Sequence, residues 1–192
     1  MSEILIVDGH PRPGSFGDAL TMAYAEGARE AGRTVQVVAL RDLQFDPVLH
    51  QGYAGDQAME PDLLALQDAI QACRHFVLVY PIWWGGMPAQ MKGFVDRVFL
   101  PGFAFKYHKG RVIHDQLLKG RSARVIVTMD APPWYDLLVY RAGGMHLART
   151  ALLKFCGFHP VHGWRVGPVK HSSQERREKW LLTARRLGAT DG

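Results

Sequence analysis

Cysteine is nearly absent: Cys73 and Cys156 are the only two in 192 residues. That excludes a small secreted scaffold stapled by disulfides. Both lie in apolar, helix-like surroundings, which predicts reduced, buried thiols acting as small core hydrophobes in a cytoplasmic protein. Long apolar runs are also missing. None approaches the roughly 20 residues that a membrane-spanning helix needs. The opening MSEILIVDGH carries Glu3 and passes straight into a strand-like run, unlike a secretory signal. Concentrated charge is missing too, despite a net charge of +5. The densest basic groups, Arg176, Arg177 and Lys179, then Arg185 and Arg186, are interrupted by Glu175 and Glu178. This predicts a solvated helix face. Nowhere do basic and aromatic residues interleave as stacking sites for nucleic acid would require. The triphosphate loop G-x-x-x-x-G-K-S/T, the dinucleotide motif G-x-G-x-x-G and the hydrolase elbow G-x-S-x-G do not occur. His159 and His162, the closest histidine pair, lack cysteine partners and metal-site spacing, so no metal is expected.

What is present is an alternation. Short apolar runs rich in β-branched and aromatic residues cover 4–7, 35–40, 76–80 and 125–128. Runs without clean alternation suit strands buried on both faces of a parallel sheet. Residues 161–166 alternate better and suit an edge strand. Helical spacing lies between them. Phe16, Ala19, Leu20, Ala23, Tyr24 and Gly27 follow one face, opened by Ser15 and Asp18 in the manner of a capping box. Pro61 opens a second helix with Leu63, Leu66, Ile70 and Cys73 on one side. Pro88 opens a third with Met91, Phe94, Val95 and Val98. Residues 148–155 form a fourth, and Ser172 with Glu175 caps a fifth containing Trp180, Leu181, Ala184 and Leu187. The expectation is a single α/β domain over residues 1–192: a five-stranded parallel sheet with helices on both faces. Residues 44–60 and 101–118 read as irregular insertions.

Ligands of such sheets bind beyond the carboxyl ends of the strands. After the first strand comes DGHPRPGSFGDAL, where His10, Gly14, Ser15 and Gly17 form a turn into a helix N-terminus. Unpaired N–H groups and the helix dipole there suit a phosphate. On this segment alone, a plain turn and cap accounts for the residues equally well. After the third strand comes YPIWWGGMPAQMKGF. Trp83 and Trp84 offer flat faces, while Gly85 and Gly86 let the backbone approach a ring and donate to its edge. After the fourth comes TMDAPPWY, a stiff aromatic loop suited to a lid or second wall. A phosphorylated planar cofactor fits all three loops, and flavin leads the candidates.

HPRPGSFGDAL, YPIWWGGMPAQMKGFVDRVFLPGFAF and LLKFCGFHPV carry a resemblance that runs nearly end to end. The chain resembles the flavodoxin-like NAD(P)H:quinone oxidoreductases, a group that includes quinone reductase, the modulator of drug activity and the potassium-efflux ancillary oxidoreductases. The resemblance implies that His10, Ser15, Phe16, Gly17 and Ala19 hold the flavin phosphate or its neighbours. It implies that Pro81, Ile82, Trp83, Trp84 and Gly85 lie along the isoalloxazine ring, with Thr128, Met129 and Asp130 at its pyrimidine end. Phe103 and Phe105 would help line a site completed across a homodimer interface, with Trp134 near the substrate face and Tyr135 as proton donor. FAD, with FMN as the alternative, and NAD(P)H as hydride donor follow from the same resemblance, as does ping-pong reduction of quinones or similar flat acceptors. A regulatory or electron-transfer flavoprotein acting through a protein partner, and an azo- or nitro-compound reductase, are the alternatives. The family often carries T-T-G-G where this chain has TMDA. That departure bears on the acceptor and the proton donor more than on flavin binding.

Overall fold

Five parallel strands form one sheet in the order β2-β1-β3-β6-β7. These are β1 (Ile4–Asp8), β2 (Val35–Ala39), β3 (His75–Pro81), β6 (Ser122–Thr128) and β7 (Val161–Val166). The computed structural model describes residues 2–55, 57–110 and 113–191. Winding runs from β1 outward to β2 and then turns back to β3, so the direction reverses between β1 and β3. In β1 and β3 every residue is buried, which is why these strands read as unbroken apolar runs. Val161–Val166 forms the edge strand expected of its alternation.

The two faces carry separate cores. Leu5, Val7, Phe76, Leu78 and Tyr80 pack on one side against α2 (Pro61–Ala72) and α3 (Ala89–Val98). Ile4, Ile6, Val77, Val79 and Ile126 pack on the other against α1 (Phe16–Glu30) and α6 (Gln174–Thr190). Each fully buried aliphatic side chain contributes about 1.5–3 kcal/mol. The helices α1 and α6 cross so closely that a Cβ on Gly27 would overlap the Arg185 carbonyl, and one on Gly188 the Tyr24 carbonyl.

Several local details differ from the sequence reading. Helix α3 begins at Ala89, with Pro88 just outside it as the N-cap. Ser173, not Ser172, caps α6 by accepting the Arg176 N–H, while the Ser172 hydroxyl donates to the Val169 carbonyl. Serine precedes that helix twice, and only the second has the right offset. Residues 143–154 form α5 (Gly143–His146) followed by a π-helical segment, Leu147–Lys154, rather than an α-helix over 148–155. Within 101–118, Phe105–Lys106 (β4) and Asp115–Gln116 (β5) pair antiparallel, too short to leave a periodic trace. Between β5 and β7, α4 (Pro133–Leu138) follows β6. The insertion at 44–60 is held by Arg97, buried in α3, which pairs with Glu60 at 2.8 Å and donates to the Ala58 carbonyl.

At the amino ends of the strands lies a closed polar network. His75 Nδ1 lies 2.7 Å from the Ser122 hydroxyl, and its Nε2 lies 3.1 Å from the Tyr24 hydroxyl. Tyr24 donates to Asp191, which also pairs with Arg124. Burial pushes His75 down to about 4. Cys73 and Cys156 are buried and free, with burial pushing their thiols up to about 11 and about 12.

Candidate active site

The loops after β1, β3 and β6 meet beyond the carboxyl ends of the sheet, at the β1/β3 reversal. They enclose a cavity of about 460 Å³. His10, Ser15, Phe16 and Gly17 form one wall, Pro81, Ile82 and Trp83 a second, and Thr128, Met129 and Asp130 a third. Backbone hydrogen bonds fasten these walls together: Ile82 N–H donates to the Thr128 carbonyl, and Gly9 N–H to Val79.

The first wall is shaped by an acidic brace. Ser15 Oγ accepts the Asp18 N–H, giving α1 its N-cap. The Asp18 carboxylate does not close a capping box on Ser15; it reaches back to the Gly14 N–H at 2.6 Å. Gly14 sits at φ +67°, which a side chain would resist. Arg41 places one nitrogen, Nη1, 2.8 Å from both Asp18 and the buried Asp8. Asp8 in turn accepts the His10 N–H at 3.0 Å. Burial raises Asp8 to about 7, helped by Asp18. For Asp18 burial pushes upward as well, but hydrogen bonds from Asp8, Gly14 and Arg41 hold it below the usual carboxylate range. His10 is lowered by burial and by Arg12, and its Nδ1 accepts the Arg12 N–H. The neutral ring therefore carries its proton on Nε2, as a donor.

The second wall contains a two-residue turn. Trp83 and Gly86 exchange both backbone hydrogen bonds, at 3.0 and 2.9 Å, with Trp84 and Gly85 between them at φ 51° and 75°. Two left-handed central residues make this a tight primed turn, comfortable for Gly85 and strained for a tryptophan. The turn sends the neighbours apart. Trp83 lines the cavity, edge-on to His10 at 5.9 Å, while Trp84 is 105% exposed and leaves it. The Gly86 N–H is taken up within the turn, so it is not available to a ring edge as the sequence suggested.

Other expected residues sit elsewhere. Ala19 lies on a shallow groove between α1 and α6, with Met22 and Leu181. Phe105 lines a second, apolar cavity of about 450 Å³ with Tyr53, Tyr107, Leu147 and Phe155. Phe103 packs edge-on against Phe99. Trp134 and Tyr135 occupy α4 as a ladder of edge-on rings with Tyr140, at 5.7 and 5.5 Å, outside the first cavity. Asp130 meets the cavity, but its carboxylate accepts the Lys170 N–H at 2.9 Å, tying the third wall to the loop after β7.

That last loop was missed. Arg12, Val169, Lys170 and Arg177 also line the cavity, making its helix end strongly cationic. Arg177 reaches over the Phe16 ring at 5.6 Å and is anchored by Ser172 Oγ and the Val169 carbonyl. The signal was available: the strand-end rule applies to the fifth strand as well, and Lys170 follows it by four residues. The cavity thus joins a cationic end to an aromatic, backbone-walled end.

Comparison with known proteins agrees with this fold. Among curated relatives, an uncharacterised NAD(P)H oxidoreductase of Haemophilus influenzae is 30% identical, over 93% of this chain and 89% of its own length. NAD(P)H dehydrogenase (quinone) 1 of Rattus norvegicus is 24% identical, over 92% and 73%. Among solved structures, Smu.1420 of Streptococcus mutans superposes with a TM-score of 0.82 at 30% identity, covering 97% of this chain and 98% of its own. An FMN-dependent NADH-azoreductase of Bacillus anthracis, in complex with FMN, superposes at 0.72 with 20% identity, covering 97% of both. The sequence model of the flavodoxin-like fold matches residues 2–187, and the chain belongs to that family.

Proposed function

We propose that this protein is a flavin-dependent NAD(P)H oxidoreductase that reduces quinones or similar flat acceptors. The observation that carries this reading is the single cavity with a cationic helix end and a tryptophan-walled end. The residues fit a flavin. Ser15 Oγ, already accepting the Asp18 N–H, keeps its hydroxyl proton for a phosphate oxygen, and His10 Nε2–H adds a second donor. Arg12, Lys170 and Arg177 supply the counter-charge. Trp83 and Ile82 form an apolar wall, while Gly85, in the turn beyond them, lies outside the cavity lining. When bound, the flavin supplies two-electron hydride chemistry, which the protein orients and shields.

FAD, with FMN as the alternative, is taken from the family resemblance, since the FMN phosphate and the FAD pyrophosphate each carry about two negative charges near neutrality. Tyr135, on α4 and outside the cavity lining, is assigned as proton donor to the acceptor on the family resemblance alone. A homodimer completes the site in this reading. Trp84, Tyr107, Leu138, Val139 and Tyr140 are exposed apolar groups, and the cavity holding Phe105, Tyr107 and Phe155 would face the partner's flavin. The cytoplasm, where thiols stay reduced, is the assigned compartment. The named activity of the Bacillus anthracis neighbour supports azo compounds as second acceptors for the same site.

The test is the visible spectrum of the purified protein, without oxygen. A flavin spectrum that NADPH bleaches and a quinone restores is the expected result. A protein that stays colourless after reconstitution with FAD or FMN overturns the reading.

A further inference from the structure

Behind the anion end of the cavity lies a partly buried charge cluster that the proposed reaction does not use. Asp8 and Asp18 both pair with the same Arg41 nitrogen at 2.8 Å, and the Asp8 side chain is 2% exposed. Two carboxylates on one guanidinium leave a net negative charge when both are ionised. That charge stands one layer behind the loop. Asp8 holds the His10 N–H and Asp18 the Gly14 N–H, so both carboxylates occupy amides of the loop assigned to the phosphate. Asp8 Oδ1 is also 3.9 Å from where a Gly17 Cβ would stand.

The surroundings give the charge little relief. The titratable and charged groups facing Asp8 are Asp18 from α1, Arg41 from the turn after β2, and His10 along its own loop, which burial and Arg12 hold below the usual histidine range. A separate small cavity of about 140 Å³ opens onto Asp8, Asp18 and Arg41. Thr21 lines it as well, 2% exposed, with its hydroxyl lacking any protein partner among the described residues. A buried hydroxyl is normally satisfied, so this polar space is fitted for water. A water there would give the carboxylates a route for proton exchange.

We propose that anion binding at the His10–Ser15 loop is coupled to proton uptake by the Asp8–Arg41–Asp18 cluster, with Asp8 as the acceptor. Placing a phosphate in front of a net negative cluster disfavours the second carboxylate charge, and protonating Asp8 removes it. Linkage then fixes the sign: the bound form holds more protons, so affinity is highest in acid and falls as pH rises through neutrality. Arg41 acts as a positioning residue, setting where that fall occurs. The inference rests on the flavin reading of the cavity.

The experiment is FAD titration of the apoprotein between pH 5.5 and 8.5, followed by quenching of flavin fluorescence. FAD is the better probe because its pyrophosphate does not titrate in this range. Roughly tenfold weaker binding at pH 8.5 than at pH 6 is expected, the size of one unit of pKa displacement. D8N flattens the profile, and R41Q moves its midpoint upward. Calorimetry of the wild type at pH 7, in two buffers of different ionisation enthalpy, should show proton uptake and does not depend on a variant folding. A wild-type affinity independent of pH, or zero proton uptake, overturns the linkage while leaving the flavin site intact. Failure to bind either FAD or FMN at every pH overturns both.

Discussion

The two ends of the sheet treat charge in opposite ways. At the amino ends, Arg124, Asp191, Tyr24, His75 and Ser122 close on one another, and the network is half-buried or better throughout. At the carboxyl ends, Arg12, Lys170 and Arg177 face a cavity with no carboxylate partner among the described residues. One end satisfies its charges within the protein, which holds the fold together. The other leaves positive charge to be satisfied from outside, and that is what a binding site requires.

Acid pits the two ends against each other, with the largest expected effect. His75 is depressed to about 4, so the unfolded chain binds the extra proton and stability falls as pH drops from 6.5 toward 4. Asp8 is raised to about 7, so the folded chain binds the extra proton and stability rises as pH drops through 7 toward 3.8. The slopes oppose, and between pH 4.5 and 6.5 they offset. Each variant should expose the other group. H75Q should gain stability on acidification from pH 7 to 5, and D8N should lose it, each by about 1–2 kcal/mol in urea unfolding. Parallel curves for both variants would break the comparison.

Of similar size is Arg124→Met, which leaves Asp191 without its cation. Stability should fall by about 2 kcal/mol, at the lower side of a broken buried pair because the site is not sealed. Flavin affinity should be unchanged in the same preparation. Lys170→Ala makes the converse cut: about tenfold weaker flavin binding, or ~1.4 kcal/mol, with unfolding free energy unmoved. Trp84→Asn should have the smallest effect. Asn-Gly suits two left-handed residues, so thermal unfolding should shift upward by the equivalent of about 0.5–1 kcal/mol. Loss of the exposed indole should also weaken self-association in analytical ultracentrifugation.

The same contrast explains what could be read from the sequence. Residues 4–7 and 76–80 announced themselves because a strand buried on both faces has no polar positions to confuse the pattern. The phosphate-suited loop was legible from Ser15 and Gly14 lying just before helical periodicity. Trp83 and Trp84 were not separable, since only the left-handed turn decides that one enters the cavity and the other leaves it. Asp8 and Arg41 are 33 residues apart, and nothing local marks them as partners. Arg177 looked like part of a solvated helix face, and Lys170 carried no local signal, because their target is assembled from other strands. Phe105 faces a cavity of its own for a similar reason: its chain neighbours do not reveal which side of α3 the insertion crosses.

The close crossing of α1 and α6 has a consequence for the order of events during synthesis. Ser15 and His10 emerge from the ribosome early, while Arg177 lies on α6 and takes its place only when that helix seats against Gly27. A nascent chain that has completed β7 but not α6 holds the aromatic wall without the full cationic end. Cofactor loading is therefore a late event, and chains stalled before Ser173 should remain colourless.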